Sequence, residues 1–467
     1  MSPIVDTKVH EAQILAELAK LGGGTLSDDG IVHEGTRLVI PDTMSKKDAV
    51  KAMLRNIEAE EEEVSFTTVL TARPWDVAAA FERTVRRHFG MMTQVATTGM
   101  FGQKNPPEMR TINVDVNQQI QVPWGRIELP AFPGAKIDLF GAHDNEHGIV
   151  GGLQFLGPRR WKAHAQGLFE LVRREVKDNS IYKGKAFDGA EMPNFIDLSG
   201  VTFEDVIYSD DIIAQLDANV WSLLNYSQAQ REAGLPLKRA VLLEGPYGTG
   251  KTLGAYLTAK VARENGWTFI YCRPGKDDIH QTLQTARLYQ PAVVFFEDVD
   301  EISDSGDGVT RLLDTFDGMT SKGTELMVIL TTNHAEKIHK GMLRPGRLDA
   351  VLHIGELDAN GVYRMIKRNV PANLLGQVDV TEVFSHMEGF MPAFVKEAID
   401  RAKRYNMARH SGKLTKLETA DFVEAAKGLR PQLDLMNGNK AHEKKDRLTE
   451  LVRNVVFEGA TEALQAN

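Results

Sequence analysis

Only one of the 467 residues is a cysteine, Cys272. No intrachain disulfide can form and no cysteine-rich metal site can be built, a usage that fits a reducing compartment. Net positive charge is also missing. The 64 acidic side chains outnumber the 55 lysines and arginines, and a formal net charge of -9 argues against a bulk surface that coats nucleic acid, though not against a local basic patch. Long hydrophobic runs are absent too, since no window approaches the roughly 18 apolar residues of a membrane span. Residues 1–20 carry Asp6, Lys8, Glu11, Glu17 and Lys20 with no unbroken apolar core, so no signal peptide is read there. These gaps predict a cytoplasmic chain with no membrane partner. What is present is ordinary for a globular protein, 42% hydrophobic and 25% charged. At about 100–200 residues per domain the length predicts two or three domains.

The most informative segment is Gly245-Pro246-Tyr247-Gly248-Thr249-Gly250-Lys251-Thr252. It fits the pattern GxxxxGK[ST] at every fixed position. The apolar run Ala240–Leu243 before it predicts a strand, and Leu253–Ala262 after it predicts a helix. That strand–loop–helix context is what a nucleotide site needs. Glycines let backbone N–H groups converge on phosphate oxygens, and the helix N-terminus adds partial positive charge. Lys251 is placed to reach the β- and γ-phosphates, and Thr252 to ligate magnesium. ATP and Mg2+ are the expected cofactors.

Three further segments join it. Val293–Glu297 predicts a buried strand, with Glu297, Asp298 and Asp300 at its carboxyl end, where ligands bind in an open α/β sheet. One carboxylate there can hold magnesium, and another can polarise an attacking water. Leu326–Thr331 predicts a neighbouring strand, with Thr332 and Asn333 at its end, and the Asn333 amide can sense the γ-phosphate or position the water. Gly341–Asp349 carries Arg344 and Arg347 on a turn, a poor core but a good clamp for phosphate charge when supplied by the next subunit.

The rest of the chain divides by pattern. Residues 1–63 read as a helical segment, with helices near Val9–Leu21 and Lys46–Glu60, a possible strand at Leu38–Ile40, and an acidic run Glu60–Glu63 read as a solvated helix end. Residues 64–200 read as a separate α+β domain of accessory or substrate-recruiting type: strand Val64–Leu70, helix Pro74–Phe89, period-two strands from Arg110 to Leu139, a turn at Trp124-Gly125, strand Ile149–Leu156 broken by Gly151-Gly152, helix Trp161–Val176, and extended Ser180–Phe187. His143, His147 and His164 lack metal-like spacing. Arg86, Arg87, Arg159, Arg160 and Lys162 are candidate phosphate contacts, or simply solvated helix ends. Residues 201–355 alternate strand and helix, which predicts a parallel sheet covered on both faces. Residues 356–431 predict a helical lid, and residues 432–467 a tail with a final helix near Arg447–Leu464.

Taken together, these segments give residues 203–431 a resemblance to the AAA ATPase family. Gly245–Thr252 is similar to its Walker A motif, Phe295–Asp300 to Walker B, and Thr332–Arg347 to its second region of homology. The fold implied is a P-loop α/β domain with a parallel sheet and a small C-terminal helical lid, here preceded by the α+β domain. The resemblance implies Asn333 as sensor 1, Arg344 and Arg347 as arginine fingers, and Pro392 and Ala393, at the start of the sensor 2 helix, bordering adenine or ribose. It also implies a homo-oligomeric ring, commonly hexameric, acting on a protein partner. The carboxylate order is inverted from the family's usual Asp-Glu, so Glu297 takes the magnesium role and Asp298 that of the base. That order, with Thr332-Asn333-His334, resembles the mitochondrial inner-membrane AAA translocase that handles a folded Rieske protein, and it carries over the ATPase subtype without the substrate. After Phe269–Cys272 the loop Arg273–Asp278 is short and holds no aromatic, which argues against threading by aromatic paddles; Lys276 could line a pore. Three functions remain open on sequence: a remodeller of protein complexes, a nucleic-acid motor or assembly factor, and a nucleotide-switched scaffold.

Overall fold

The computed structural model describes residues 33–34, 37–38, 45–90, 97–98, 101–189, 192–273, 276–301, 324–334 and 347–436. The expected helices near Val9–Leu21 and Arg447–Leu464 lie outside these, as do Val39 and Ile40, whereas Leu38 belongs to a two-residue ladder with His33–Glu34.

The accessory domain begins with helix α1 (Lys46–Glu61), capped by Ser45, whose hydroxyl accepts from the Asp48 N–H. It runs straight into strand β1 (Glu63–Val69). The helix end is held by ion pairs of Glu61 with Arg160 and Glu62 with Arg159, while Arg86 pairs with Glu82 and Arg87 with Glu175. Four of the arginines that were candidate phosphate contacts are therefore paired within their own domain. Strands β2 (Glu108–Asp115), β3 (Gln118–Ile127), β4 (Lys136–Asp144) and β5 (Gly148–Pro158) complete a five-stranded antiparallel sheet in the order β1-β5-β4-β3-β2. Helices α2 (Pro74–Phe89) and α3 (Lys162–Asp178) pack together and against β5. Pro74 opens α2 at a position where no N–H is needed.

Two expected features differ here. Trp124-Gly125 is not a turn. Both residues lie inside β3, and Gly125, at φ +76°, marks where the strand changes partner from β2 to β4. Gly151-Gly152 does not break β5 either. A Cβ on Gly151 would sit 2.5 Å from Val77 Cγ2, and one on Gly152 2.5 Å from the Phe140 ring, so these glycines allow close packing and leave the ladder intact.

The central domain holds a seven-stranded sheet in the order β7-β6-β9-β10-β11-β8-β12. Its strands are β6 (Ala186–Asp188), β7 (Asn194–Phe195), β8 (Arg239–Glu244), β9 (Thr268–Cys272), β10 (Ala292–Phe296), β11 (Leu326–Thr332) and β12 (Ala350–His353). All neighbours are parallel except β6 and β7. The pairing of β6 with β9 corrects the expected boundary near residue 200. Residues 186–195 complete the edge of this sheet because Ala186, Phe187 and Asp188 register with Phe269, Ile270 and Tyr271.

The buried runs follow from two covered faces. On one face Val241, Leu243, Phe269, Tyr271, Val293, Phe295, Met327 and Ile329 meet helix α5 (Lys251–Glu264) and the helical stretch beginning with α4 (Asp210–Leu216). On the other face Leu242, Ile270, Val294, Phe296 and Val328 meet helix α6 (Ile279–Leu288), and this cluster continues without a break into the accessory core around Phe81, Val122 and Phe155. Beyond β12, helices α7 (Ala359–Asn369), α8 (Val380–Met387), α9 (Pro392–Arg409) and α10 (419–436) form a lid with its own core around Phe390, Ile399 and Phe422. α10 runs through Pro431 and buries Leu433, so the lid extends past the expected boundary at 431.

Candidate active site

The loop between β8 and α5 is tied to both of its flanks. The Gly245 N–H donates to the Thr332 carbonyl at 3.2 Å. Gly245 has φ +154°, and a Cβ there would lie 2.0 Å from the Ile354 carbonyl oxygen, so only glycine lets the loop pass β12. The Ala393 N–H, in the first turn of α9, donates to the Gly248 carbonyl at 3.0 Å. From the other side the Tyr208 hydroxyl donates to the Gly250 carbonyl at 2.7 Å, and burial pushes that hydroxyl's pKa well up, keeping it a donor.

Lys251 opens α5 and is 8% exposed. Its Nζ donates to Gly245 O at 2.7 Å, Pro246 O at 3.0 Å and Asn333 Oδ1 at 2.9 Å. Burial pulls the ammonium below the ordinary lysine range, opposed by the nearby carboxylates of Asp298, Asp300, Glu297 and Glu244. Thr252 Oγ1 donates to Glu297 Oε1, and the Tyr271 hydroxyl donates to Glu297 Oε2. Both oxygens of Glu297 are thus engaged. Burial, reinforced by Glu297 itself, keeps Tyr271 protonated.

Asp298 is held differently. It has φ +48°, a region few non-glycine residues adopt, and its N–H donates to Thr331 Oγ1 at 2.9 Å. Its Oδ1 accepts from Asn333 Nδ2 at 2.9 Å. Burial first, then Glu297 and Asp300, raise its carboxyl above the ordinary aspartate range, while Lys251 and Asn333 oppose the shift. Asp300 Oδ1 accepts from Thr332 Oγ1 at 2.9 Å and from the Asn333 N–H at 3.2 Å. Asn333 therefore joins Lys251 to Asp298 through the two ends of its amide.

These groups line one cleft of about 770 Å³. Gly248 to Thr252, Glu297, Asp298 and Asn333 form its floor, and Pro392, Ala393 and Lys396 come from the lid. Ile207 and Met365 give it an apolar end, next to Arg368 and Asn369 of α7. Arg368 Nε donates to Asp205 Oδ1 at 3.0 Å, and Arg364 donates to the Tyr208 carbonyl, which fastens the lid to the segment that enters the sheet.

Arg344 lies outside the described residues. Arg347 is half-buried just before β12 and is not among the residues lining the cleft of its own chain. The sequence pattern did not single out Tyr208, Tyr271, Lys396 or Arg368, nor the fastening role of Asp300. The two tyrosines each stand among apolar neighbours, and only the sheet brings their hydroxyls to a partner. Lys396 carried a legible signal, a cation one turn into the lid helix. Among the described residues no group of three or more His, Cys, Asp or Glu forms an all-protein metal cage. A hydroxyl beside one carboxylate, as at Thr252 and Glu297, suits magnesium, which keeps several waters and is completed by phosphate.

Residues 241–356 match the family described as ATPase family associated with various cellular activities (AAA). The chain is 27% identical over 273 residues to the Cell division cycle protein 48 homolog of Archaeoglobus fulgidus, covering 51% of this chain and 36% of that protein. It is 29% identical over 251 residues to ATP-dependent zinc metalloprotease FtsH 3 of Conexibacter woesei, covering 48% and 33%. A third relative, Nuclear valosin-containing protein-like of Mus musculus, is 30% identical over 217 residues, covering 42% and 25%. The chain spans about a third or less of the length of these relatives. Phosphate loop, carboxylate pair, asparagine and lid meet in one cleft within and around the matched segment, and the chain carries an AAA ATPase domain.

Proposed function

We propose that this chain is a magnesium-dependent ATPase that assembles into a homo-oligomeric ring, commonly six-membered in proteins of this kind, and uses hydrolysis to remodel a protein partner. The observation that carries the hydrolytic reading is the chain of contacts from Lys251 through Asn333 to Asp298, beside the Thr252–Glu297 pair. The Lys251 ammonium rests on three oxygens that phosphate oxygens can replace. Magnesium, held between Thr252 and Glu297, would supply charge neutralisation on the phosphates. Glu297, with both oxygens engaged, is poorly placed to take a proton. Asp298 has one oxygen fixed by Asn333 and a carboxyl of raised basicity, which suits a general base for water. Asn333 reads the occupant of the Lys251 side and sets the base on the other. Ile207 and Met365 suit the adenine, and Pro392 and Ala393 close over the loop.

Arg347 lies away from its own cleft, which supports a role for it and Arg344 at a neighbour's γ-phosphate. No membrane partner is proposed, and among the described residues no helix is long and apolar enough to cross one. The protein-remodelling reading rests on the relatives and on the formal net charge of -9, which disfavours a surface that coats nucleic acid. The test mixes Arg344→Ala with Lys251→Ala subunits. Each alone is expected to be inactive, and mixed rings are expected to regain part of the turnover. Rings shown to be mixed that regain none would remove the trans assignment.

A further inference from the structure

The accessory and ATPase domains are bolted together along α6. The Arg73 guanidinium is 4% exposed and donates to Thr285 Oγ1, to the Gln281 carbonyl at 3.1 Å and to the Ile149 carbonyl at 2.7 Å. The Arg73 N–H donates to the Tyr289 hydroxyl at 2.8 Å, and Tyr289 stacks on Tyr182 with centroids 4.8 Å apart. One cavity of about 290 Å³ opens directly on this seam. Its walls come from the end of β1 and the residues after it (Val69, Thr71), from α3 and the turn after it (Arg173, Lys177, Ser180, Lys183), and from the end of α6 and its C-cap (Leu288, Tyr289).

The charge of this cavity is one-sided. It is lined by three cations and no carboxylate. Among the described residues the side chains of Lys177 and Lys183 have no ion-pair partner, and Arg173 has a 3.5 Å pair with Glu170, exposed on both sides. An exposed pair of that length holds an arginine weakly. Two buried carboxylates lie nearby and neither lines the cavity: Glu175 pairs with Arg83 and Arg87, and the other is Asp76. It lies behind Ser180, accepting from Ser180 Oγ at 2.6 Å and from the Ile181 N–H at 2.9 Å. Cations that line one small space repel each other, a bound anion relieves that repulsion, and phosphate oxygens are strong acceptors for such a set. The volume is well under half that of the nucleotide cleft, which selects an occupant smaller than ATP.

We propose that the seam cavity binds a compact phosphate-bearing small molecule through Arg173, Lys177 and Lys183. Three cations of the accessory domain would hold such a ligand against the end of α6, the helix that follows the loop after β9. The site is separate from the phosphate loop, and the inference does not depend on ATP hydrolysis.

The test is equilibrium dialysis of the full chain against labelled inorganic phosphate. The protein is first saturated with magnesium and a non-hydrolysable ATP analogue, so that the phosphate loop is filled. Wild type is expected to bind one phosphate per chain saturably. Lys177→Ala/Lys183→Ala is expected to bind at least tenfold more weakly, and Lys177→Arg/Lys183→Arg to stay close to wild type. Both lysines are exposed, so the fold tolerates these changes. Absence of saturable binding to wild type, or equal binding by the double alanine variant, would overturn the proposal.

Discussion

The substitution Asp298→Asn changes one proton acceptor and little around it. The residue sits at φ +48°, which asparagine adopts about as readily as aspartate. The carbonyl of the introduced amide can still accept from Asn333 Nδ2, now at 2.9 Å from Asp298 Oδ1, and the backbone bond to Thr331 is untouched. Loss of a negative charge beside Glu297 and Asp300 relieves like-charge repulsion, so folding stability is expected within about 1 kcal/mol of wild type. Nucleotide affinity is expected to hold, since Lys251, Thr252 and Glu297 remain. Turnover loses its base, and general-base catalysis contributes about 10²–10⁴-fold, or roughly 3–5 kcal/mol of barrier. Single-turnover hydrolysis and nucleotide binding, measured on the same preparation, separate the two effects. The pH profile adds a check. The base works deprotonated, so wild-type turnover falls as pH drops through the Asp298 pKa, and burial with Glu297 and Asp300 places that acid limb above the ordinary aspartate range. Residual activity in the variant is expected to lack it. Hydrolysis within threefold of wild type would refute the assignment and return Glu297 to consideration.

Other perturbations have defined outcomes. Tyr271→Phe removes the hydroxyl that donates to Glu297 Oε2, and the magnesium needed for half-maximal turnover is expected to rise about tenfold in a metal titration. Asp76 is fully buried and its pKa is raised by desolvation from 3.8 to about 6. A carboxyl raised in the folded state stabilises it at low pH, and that contribution is lost between pH 3.8 and about 6, by about 3 kcal/mol at about 1.36 kcal/mol per pKa unit. Wild type compared with Asp76→Asn in denaturant at pH 4 and pH 7.5 is expected to show that loss, and a constant difference would contradict it. Gly151→Ala places a Cβ 2.5 Å from Val77 Cγ2 and 3.0 Å from the Pro74 backbone, so about 1–3 kcal/mol of destabilisation is expected from thermal unfolding.

What was legible in the sequence was local and periodic. The buried strands β8 to β11 read as apolar runs within a residue or two of their ends, because a strand covered on both faces has no polar position to interrupt it. The strand–loop–helix order around Gly245–Thr252 was legible too, because its glycines answer to local backbone geometry. Less was legible where a residue's role depends on a distant partner. Tyr271 and Glu297 are brought together only by the β9–β10 register, and Tyr208 reaches Gly250 across the domain. The three-residue β6 was assigned to the accessory domain because it carries too little pattern to declare its pairing with β9. Gly151 and Gly152 looked like breakers for a related reason. In isolation glycine weakens a strand, and only the packed Val77 and Phe140 show what it makes room for.

The most direct test is the steady-state rate of ATP hydrolysis by the purified chain, with magnesium, over a wide range of protein concentration, beside Lys251→Ala. The account predicts magnesium-dependent turnover whose rate per chain rises with assembly, is indifferent to added single-stranded DNA, duplex DNA or RNA, and is abolished in the variant. Hydrolysis that survives Lys251→Ala would contradict the site. A rate per chain that is flat across assembly would contradict the ring, and strong stimulation by one nucleic acid would make that polymer the substrate.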